Sequence, residues 1–184
     1  MPNQQRPIGS LLVLGGARSG KSRYAQRLAE ASRLKPVLIA TAEAHDIEMA
    51  DRIARHASQR KPRWAVVEEP VALTEVLCRE AREGRIVVVD CTTLWLSNLL
   101  LQHENASAAT QELAQGIAQL AGPVIFVSNE VGGGIVPENP LARAFRDAQG
   151  LLNQALAEAC EAVVVLNAGI ALCLKPSRAP KFRF

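Results

Sequence analysis

Short apolar runs alternate with longer amphipathic segments along the chain. The apolar runs predict strands at Leu11–Leu14, Val37–Ala40, Ala65–Val67, Ile86–Val89, Val124–Val127, Val163–Leu166 and Ile170–Leu174. The amphipathic segments predict helices at Ser22–Ser32, Asp46–Arg60, Val71–Arg82, Thr93–Leu101, Ala108–Leu120 and Leu141–Ala159. The pattern is therefore strand–helix alternation over most of the sequence.

This alternation predicts an α/β fold, in which helices cover both faces of a mostly parallel sheet. The connection at Ala168-Gly169 is too tight for a parallel crossover, so the last strand is predicted to be an antiparallel edge. A chain of 184 residues suits one domain spanning 1–184, in which residues 1–9 and 176–184 are expected to be tails.

The net charge and the distribution of basic and apolar residues limit which partners and which cellular location are expected. A net charge of +3 is too small to indicate a nucleic-acid partner. The basic residues Lys175, Arg178, Lys181 and Arg183 are interpreted as a solvated tail, in preference to a patch for an anionic partner. Because Met1–Ser10 is polar and no long apolar span follows, neither a signal peptide nor a membrane span is expected, and the prediction is a cytoplasmic enzyme.

The cysteines do not indicate a zinc site or a redox pair. Cys78, Cys91, Cys160 and Cys173 show no C-x-x-C spacing. Cys91 and Cys173 lie in or beside apolar runs, and both are predicted to be reduced residues of the core.

A phosphate-binding motif follows the first predicted strand. Gly15-Gly-Ala-Arg-Ser-Gly-Lys-Ser22 has the spacing G-x-x-x-x-G-K-S and opens a predicted helix. Its glycines let the backbone turn its N–H groups toward phosphate oxygens, and the start of the helix adds partial positive charge. Lys21 is then predicted to reach the β and γ phosphates, while the Ser22 hydroxyl holds Mg²⁺.

A second acidic element is expected at the end of a neighbouring strand, facing that metal. Asp90 ends the run Ile86–Val89 and is interpreted as a metal or nucleotide ligand, in preference to a simple turn aspartate. A GTP switch is disfavoured, because Ser128-Asn129-Glu130-Val131-Gly132 lacks the Lys and second Asp of an Asn-Lys-x-Asp guanine motif. Transferases and small-molecule kinases remain as candidates.

One histidine has unusual neighbours. Arg52, His56 and Arg60 are spaced i, i+4, i+8 and so share one face of the predicted second helix. The guanidinium groups would lower the imidazole pKa, keep the ring nucleophilic and offer hydrogen bonds to phosphate. Spacing alone nevertheless favours a surface histidine on a basic helix face.

Four segments together suggest a family. They are Gly15–Arg23, then Ile39–Ala42 leading to Glu48–His56, then Asp90–Thr93, and finally Asn129–Glu138 with Arg143–Asn153 after it. In order and spacing the chain resembles the bifunctional adenosylcobinamide kinase/adenosylcobinamide-phosphate guanylyltransferase family of cobalamin biosynthesis. The last segment is the most specific of the four.

The resemblance implies two reactions. The family phosphorylates the aminopropanol hydroxyl of adenosylcobinamide with ATP or GTP. It then takes GMP from GTP onto a histidine and passes it to the new phosphate, which gives adenosylcobinamide-GDP and pyrophosphate. The matching histidine is His56, so the resemblance reverses the interpretation from spacing, and His56 and Lys21 become the catalytic candidates. Arg52 and Arg60 are then hypothesised to steady charge on the transferred phosphate.

The resemblance also implies a set of nucleotide-binding residues. Among them, Ala42 and Ala57 can contribute only backbone or packing, and Glu68 offers a carboxylate to the guanine edge or to ribose hydroxyls. Ser22 and Asp90 are the predicted metal ligands. The nucleotide-binding set is Gly15, Gly16, Ala17, Arg18, Ser19, Gly20, Lys21, Ser22, Ala40, Thr41, Ala42, Ala57, Ser58, Gln59, Arg60, Glu68 and Asp90.

The remaining expectations follow from the same resemblance. They are a RecA-like P-loop sheet, Mg²⁺ without a tightly bound organic cofactor, small-molecule substrates, and a homotrimer. Two other functions stay open at this point. One is a P-loop kinase for a different small alcohol with His56 idle, and the other is a regulatory nucleotide-binding module without cobinamide-dependent turnover.

Overall fold

The computed structural model describes residues 8–44, 47, 51 and 62–176. Its strands are β1 (Ser10–Gly15), β2 (Lys35–Ala40), β3 (Ala65–Glu68), β4 (Arg85–Asp90), β5 (Val124–Val127), β6 (Ala162–Asn167) and β7 (Ile170–Lys175). Its helices are α1 (Lys21–Ala31), α2 (Leu73–Glu80), α3 (Thr92–Leu101), α4 (Ala106–Ile117) and α5 (Pro140–Ala159). Each predicted strand is confirmed. The predicted helix Asp46–Arg60 lies outside the described residues except for Ile47 and Asp51.

All of these strands join one sheet in the order β3-β2-β4-β5-β1-β6-β7. The pairs are parallel from β3 through β6, and β7 runs antiparallel to β6 at the edge. Ala168 and Gly169 both have positive φ, 51° and 81°, as in the tight turns that join antiparallel strands. The predicted α/β class and the antiparallel edge are both confirmed.

The sheet separates two apolar cores, because alternate residues of each strand point to opposite faces. On one face Leu12, Val87 and Phe126 pack with buried side chains of α2, α3, α4 and α5. On the other face the strands present Val13 and Val88 to a core that includes Ala25, Ala29 and Trp64. In the described part of the chain, α1 is the helix that contributes buried side chains to this second core.

Side-chain caps move several helix starts from their predicted positions. Asn105 and Asn139 accept hydrogen bonds from the first turns of α4 and α5, which therefore begin two and one residues earlier than predicted. Glu69 Oε1 accepts hydrogen bonds from the N–H groups of Val71 and Ala72, so α2 starts only at Leu73.

Among the described residues, no helix is both long and apolar enough to cross a membrane.

Two expectations for the end of the chain are wrong. Cys173 is exposed, because β7 is an edge strand whose side chains Ile170, Leu172 and Leu174 are also more than half exposed. Lys175 does not belong to a solvated tail, since its Nζ donates to main-chain oxygens at the C-terminus of α5. In the sequence, an apolar run at the edge of a sheet cannot be distinguished from a buried strand. The sequence also does not show which helix C-terminus a lysine side chain will contact.

Candidate active site

The ends of four parallel strands lie level at one edge of the sheet. Ala40 of β2 pairs with Glu68 of β3 on one side and with Asp90 of β4 on the other. Asp90 in turn pairs with Val127 at the end of β5, which neighbours β1. The loop that follows β1 carries the phosphate-binding motif. The structure therefore places Ala40, Glu68, Asp90 and this motif along the same carboxyl edge, where parallel sheets bind ligands.

The phosphate loop depends on glycine at two positions. Gly15 has φ 152°, and a Cβ atom there would lie 2.5 Å from Leu166 O and 2.6 Å from Ser19 Oγ. Gly20 has φ 98° and caps the start of α1 in a left-handed conformation that side chains disfavour. The loop therefore closes tightly against β6 and leads directly into a helix N-terminus, which favours anions.

The lysine and serine of the motif are the first two residues of α1, and both side chains have hydrogen-bond partners. Lys21 is only 7 % exposed, and its Nζ donates to Gly16 O at 2.6 Å, so the ammonium is held inside the loop. Ser22 Oγ donates to Asp90 Oδ1 at 3.1 Å. One hydroxyl and one carboxylate oxygen at this spacing are a donor set that Mg²⁺ uses when nucleotide phosphates complete its shell. Ser22 and Asp90 thus fit the predicted metal.

On the β2 side of the loop, the side chain of Thr41 has a structural role. Its hydroxyl donates to Cys91 O at 2.7 Å and accepts from Cys91 N at 3.0 Å, and the residue is fully buried. Asn98 Nδ2 donates to Thr41 O at 2.8 Å and to Pro70 O at 3.0 Å. Thr41 therefore ties the end of β2 to the end of β4, whereas Glu68 is exposed at the same edge.

On the β6 side of the loop lies a cavity that the sequence analysis did not identify. It has a volume of about 430 Å³, within the range of small-molecule sites. The phosphate loop forms one wall and the end of β6 forms the other. The lining residues are Gly15, Gly16, Ala17, Arg18, Ser19, Glu130, Val165, Leu166, Asn167 and Ala168.

A buried polar network supports the segment that follows β5. Ser128 Oγ donates to Asn153 Oδ1 at 2.6 Å, and Gln149 Nε2 donates to both of these oxygens at 3.0 Å. Asn153 Nδ2 donates to Asn129 O at 3.0 Å, and Asn129 N donates to Thr93 Oγ1 at 2.8 Å. The signal available in the sequence was two polar residues at i, i+4 on the apolar face of a helix. In the sequence, Asn153 ends the segment Arg143–Asn153 that contributes to the family resemblance.

Several predicted site residues lie outside the described part of the chain. They are the histidine proposed as nucleophile, the arginines on either side of it, and one stretch of the nucleotide-binding set. These residues are Arg52, His56, Ala57, Ser58, Gln59 and Arg60. Their roles stay predictions.

Comparison with protein families gives one match across nearly the whole described chain. Residues 11–174 match the family described as "Cobinamide kinase / cobinamide phosphate guanyltransferase". The matched region includes the phosphate loop, Asp90, the segment after β5 and both edge strands.

Similar curated proteins carry consistent names. The chain is 48 % identical over 166 residues to a bifunctional adenosylcobalamin biosynthesis protein CobP of Pseudomonas aeruginosa, covering 89 % of this chain and 96 % of that one. It is 37 % identical over 180 residues to the bifunctional adenosylcobalamin biosynthesis protein CobU of Escherichia coli K12, covering 90 % and 99 %. A CobU of Salmonella typhimurium is 36 % identical over 181 residues, covering 90 % and 99 %.

A similarity to a solved structure concerns the fold alone. The chain resembles an ATPase from the type III secretion system of pathogenic bacteria, with a TM-score of 0.58 and 9 % identity. The similarity covers 90 % of this chain and 57 % of that one. It supports the predicted fold, a mostly parallel P-loop sheet flanked by helices.

Proposed function

The chain belongs to the cobinamide kinase / cobinamide phosphate guanyltransferase family, and we propose that it carries out both reactions in sequence through a guanylylated histidine. Membership makes it an enzyme of cobalamin biosynthesis with kinase and guanylyltransferase activities. In the proposed sequence, ATP or GTP first phosphorylates adenosylcobinamide. GMP is then transferred from GTP through His56 to the new phosphate, with release of pyrophosphate.

The observation that carries the proposal is the phosphate loop, whose cation and hydroxyl are already positioned. Lys21 Nζ sits inside the loop, and the N-terminus of α1 points at the same space. In the kinase step these groups would stabilise the negative charge on the transferred and leaving phosphates. In the guanylyl step they would stabilise the departing pyrophosphate, so one phosphate site suits both leaving groups.

The nucleoside is proposed to lie on the β4–β2–β3 side of the loop. Ala40, Asp90 and Glu68 occupy successive strand ends there, and the exposed carboxylate of Glu68 suits the N–H groups of a guanine edge or ribose hydroxyls. Mg²⁺ held by Ser22 and Asp90 would neutralise charge on the phosphates. Ser22 Oγ donates to Asp90 Oδ1 at 3.1 Å, so the two proposed ligands lie side by side, which supports this assignment.

Covalent catalysis divides the guanylyl transfer into two displacements at the α-phosphorus of GTP. In the first, a ring nitrogen of His56 forms a bond to phosphorus as the bond to pyrophosphate breaks. In the second, an oxygen of cobinamide phosphate displaces the histidine and yields adenosylcobinamide-GDP. Arg52 and Arg60 are proposed to hold the non-bridging oxygens during both displacements.

Mass spectrometry after incubation with GTP and Mg²⁺, without cobinamide, tests this mechanism. We expect the peptide that holds His56 to gain the mass of GMP, in an adduct that is labile to acid and stable to base. His56→Ala should abolish the adduct and the transfer of GMP while kinase activity persists. An equal loss of both activities would mean that His56 is structural, and a pure, folded wild type without an adduct would favour a kinase in which His56 is idle.

Two further properties belong to the proposal. The family resemblance supports a homotrimer, which sedimentation equilibrium tests directly, and a monomer at working concentration would contradict it. We also propose that the enzyme acts in the cytoplasm, where its nucleotide substrates are available. Fractionation of cells that express the tagged full chain would check this placement.

A further inference from the structure

The cavity on the β6 side of the phosphate loop contains a carboxylate that phosphate binding does not explain. Among its lining residues Glu130 is the one acidic side chain. Its main-chain N–H donates to Gly15 O at 3.0 Å, so the residue is attached to the first residue of the loop. A carboxylate beside bound phosphates raises their energy by repulsion. Its presence is therefore better explained by a role in the chemistry than by a role in holding the nucleotide.

Hydrogen bonds at Glu130 and at the residue before it restrict where its side chain lies. Its Oε1 accepts a hydrogen bond from Gly132 N at 2.6 Å. The residue before it, Asn129, is bonded through its main-chain atoms to Asn153 and Thr93. Hydrogen bonds to both main-chain polar groups of one residue restrict where the next side chain can reach. Glu130 is thus positioned by the buried polar network although the residue itself is exposed.

The direction of phosphoryl transfer places the acceptor on this side of the loop. The attacking and leaving oxygens lie roughly in line through the γ-phosphorus. In the proposed function the leaving nucleotide extends toward Asp90, Ala40 and Glu68, on the β4–β2–β3 side. The attacking hydroxyl must then approach from the opposite side, toward β6. The cavity lies there, and Arg18 and Asn167 in its lining supply hydrogen-bond donors for a polar acceptor.

We propose that this cavity receives the acceptor alcohol in the kinase step and that Glu130 accepts the hydroxyl proton. The alcohol oxygen forms a bond to the γ-phosphorus as the bond between that phosphorus and the β,γ-bridging oxygen breaks. The nucleoside diphosphate leaves with that electron pair. The proton passes to the Glu130 carboxylate and then to solvent. This inference rests on the proposed function, because the nucleoside's side of the loop sets the acceptor's side.

Glu130→Gln is the sharpest test, because glutamine keeps the size of the side chain and an oxygen for the Gly132 N–H but loses the negative charge and the capacity to take a proton. We expect kcat for phosphorylation of adenosylcobinamide by ATP to fall by about 100-fold or more. The shape of the kinase pH–rate profile should differ between wild type and variant, because only the wild type has the proton-accepting carboxylate. Formation of the GMP adduct from GTP should stay within about twofold of wild type.

The matched control is Glu138→Gln, an exposed glutamate of the same loop that does not line the cavity. It should leave the kinase and adduct rates unchanged. Glu130→Ala provides a second variant, in which added formate should restore part of the kinase rate, since a small carboxylate fills the space of the missing one. Rescue by formate is a result that a purely structural role would not give.

The outcomes separate the two proposals. A Glu130→Gln kinase rate within about threefold of wild type, with an unaltered pH profile, would overturn the assignment of Glu130 while the proposed function stands. An equal fall in kinase and adduct rates without rescue by formate would also overturn it. A wild-type enzyme that makes no cobinamide phosphate at all would overturn the proposed function and this inference with it.

Discussion

The two sides of the phosphate loop are built differently. Toward β4, the side chains proposed to bind the nucleotide and the metal lie at strand ends, in sequence patterns that can be recognised locally. Asp90, at the end of the apolar run of its own strand, is an example. Toward β6, the cavity and Glu130 depend on hydrogen bonds between segments that are far apart in sequence, such as that from Asn153 Nδ2 to Asn129 O. The residues proposed to bind the nucleotide therefore belong to short segments that can be recognised in the sequence. The proposed acceptor site, in contrast, is formed by contacts between distant segments of the folded chain.

Gly15 is where the two sides meet, so its substitution should have the largest effect. In Gly15→Ala the new methyl group meets Leu166 O and Ser19 Oγ at distances that atoms do not tolerate, and φ is unfavourable as well. We expect a loss of about 2 kcal/mol or more in the free energy of unfolding. Weaker GTP binding, by at least about tenfold, should accompany it. Urea denaturation and titration calorimetry measure the two effects.

The neighbouring glycine supplies the control for this prediction. A Cβ atom at Gly16 meets nothing within 4 Å, so Gly16→Ala should leave the free energy of unfolding almost unchanged. If both alanine variants were equally stable, the close approach of the loop to β6 would not matter for the fold. The contrast between the two sides of the loop would then lose its structural basis.

The next prediction concerns the polar network that holds the segment after β5, which carries Glu130. Asn153→Leu removes the acceptor of the Ser128 hydroxyl, one acceptor of Gln149 Nε2 and the donor to Asn129 O, while the bond from Gln149 Nε2 to Ser128 Oγ remains. We expect a loss of about 1–3 kcal/mol in the free energy of unfolding. The kinase kcat should fall more than the rate of GMP-adduct formation, because the network holds the segment that carries Glu130. Denaturation and the two rate measurements check this.

Gln154→Leu is the matched control, since Gln154 is the next residue of α5 and is exposed. It should change neither the stability nor the ratio of the two rates appreciably. A variant at Asn153 that lowered both rates in proportion would show that the network supports the whole loop. The network would then not distinguish the kinase step from the guanylyl step, and the two sides of the loop would not have separate roles in the mechanism.

These contrasts explain how much of the molecule could be predicted. The strands and the edge topology followed from apolar runs and one tight turn. The roles proposed for Lys21 and Ser22 rest on a motif in its expected context, and the role proposed for Asp90 rests on its place at the end of a strand. The role of Thr41 could not be predicted in the same way, because its hydroxyl bonds the main chain of Cys91, 50 residues away. The position of Glu130 could not be predicted for a related reason, since only the fold brings the end of β5 beside the phosphate loop.

A smaller effect is expected far from both sides of the site. Lys175 Nζ donates to Ala157 O, Glu158 O and Cys160 O at 3.0, 2.9 and 2.6 Å, which satisfies carbonyl groups at the end of α5. Lys175→Met should therefore cost about 1–2 kcal/mol in the free energy of unfolding. Lys35→Met, at an exposed lysine, should cost little. Both variants should keep the wild-type ratio of kinase to guanylyltransferase rates, and a changed ratio would contradict a purely structural role for Lys175.

The smallest expected effect is a difference in reactivity between the exposed thiols, Cys78 and Cys173, and the buried thiol of Cys160. Burial raises the pKa of the Cys160 thiol from 9.0 to about 12, against weaker opposite effects of the Lys175 charge and the Ser10 hydroxyl. At pH 8 on the order of one such thiol in 10⁴ is ionised, so iodoacetamide should modify exposed Cys78 and Cys173 and spare Cys160 in the folded enzyme.

The same raised pKa fixes the sign of a pH effect on stability. The unfolded chain releases the Cys160 proton above pH 9.0, whereas the folded chain retains it up to about pH 12. The contribution of this thiol is therefore complete below pH 9.0 and is lost as the pH rises through that interval. Cys160→Ala should flatten the decline measured by denaturation between these pH values, relative to wild type. Rapid alkylation of Cys160 at pH 8, before any unfolding, would show instead that the end of α5 opens to solvent and that the β7 edge does not seal the core.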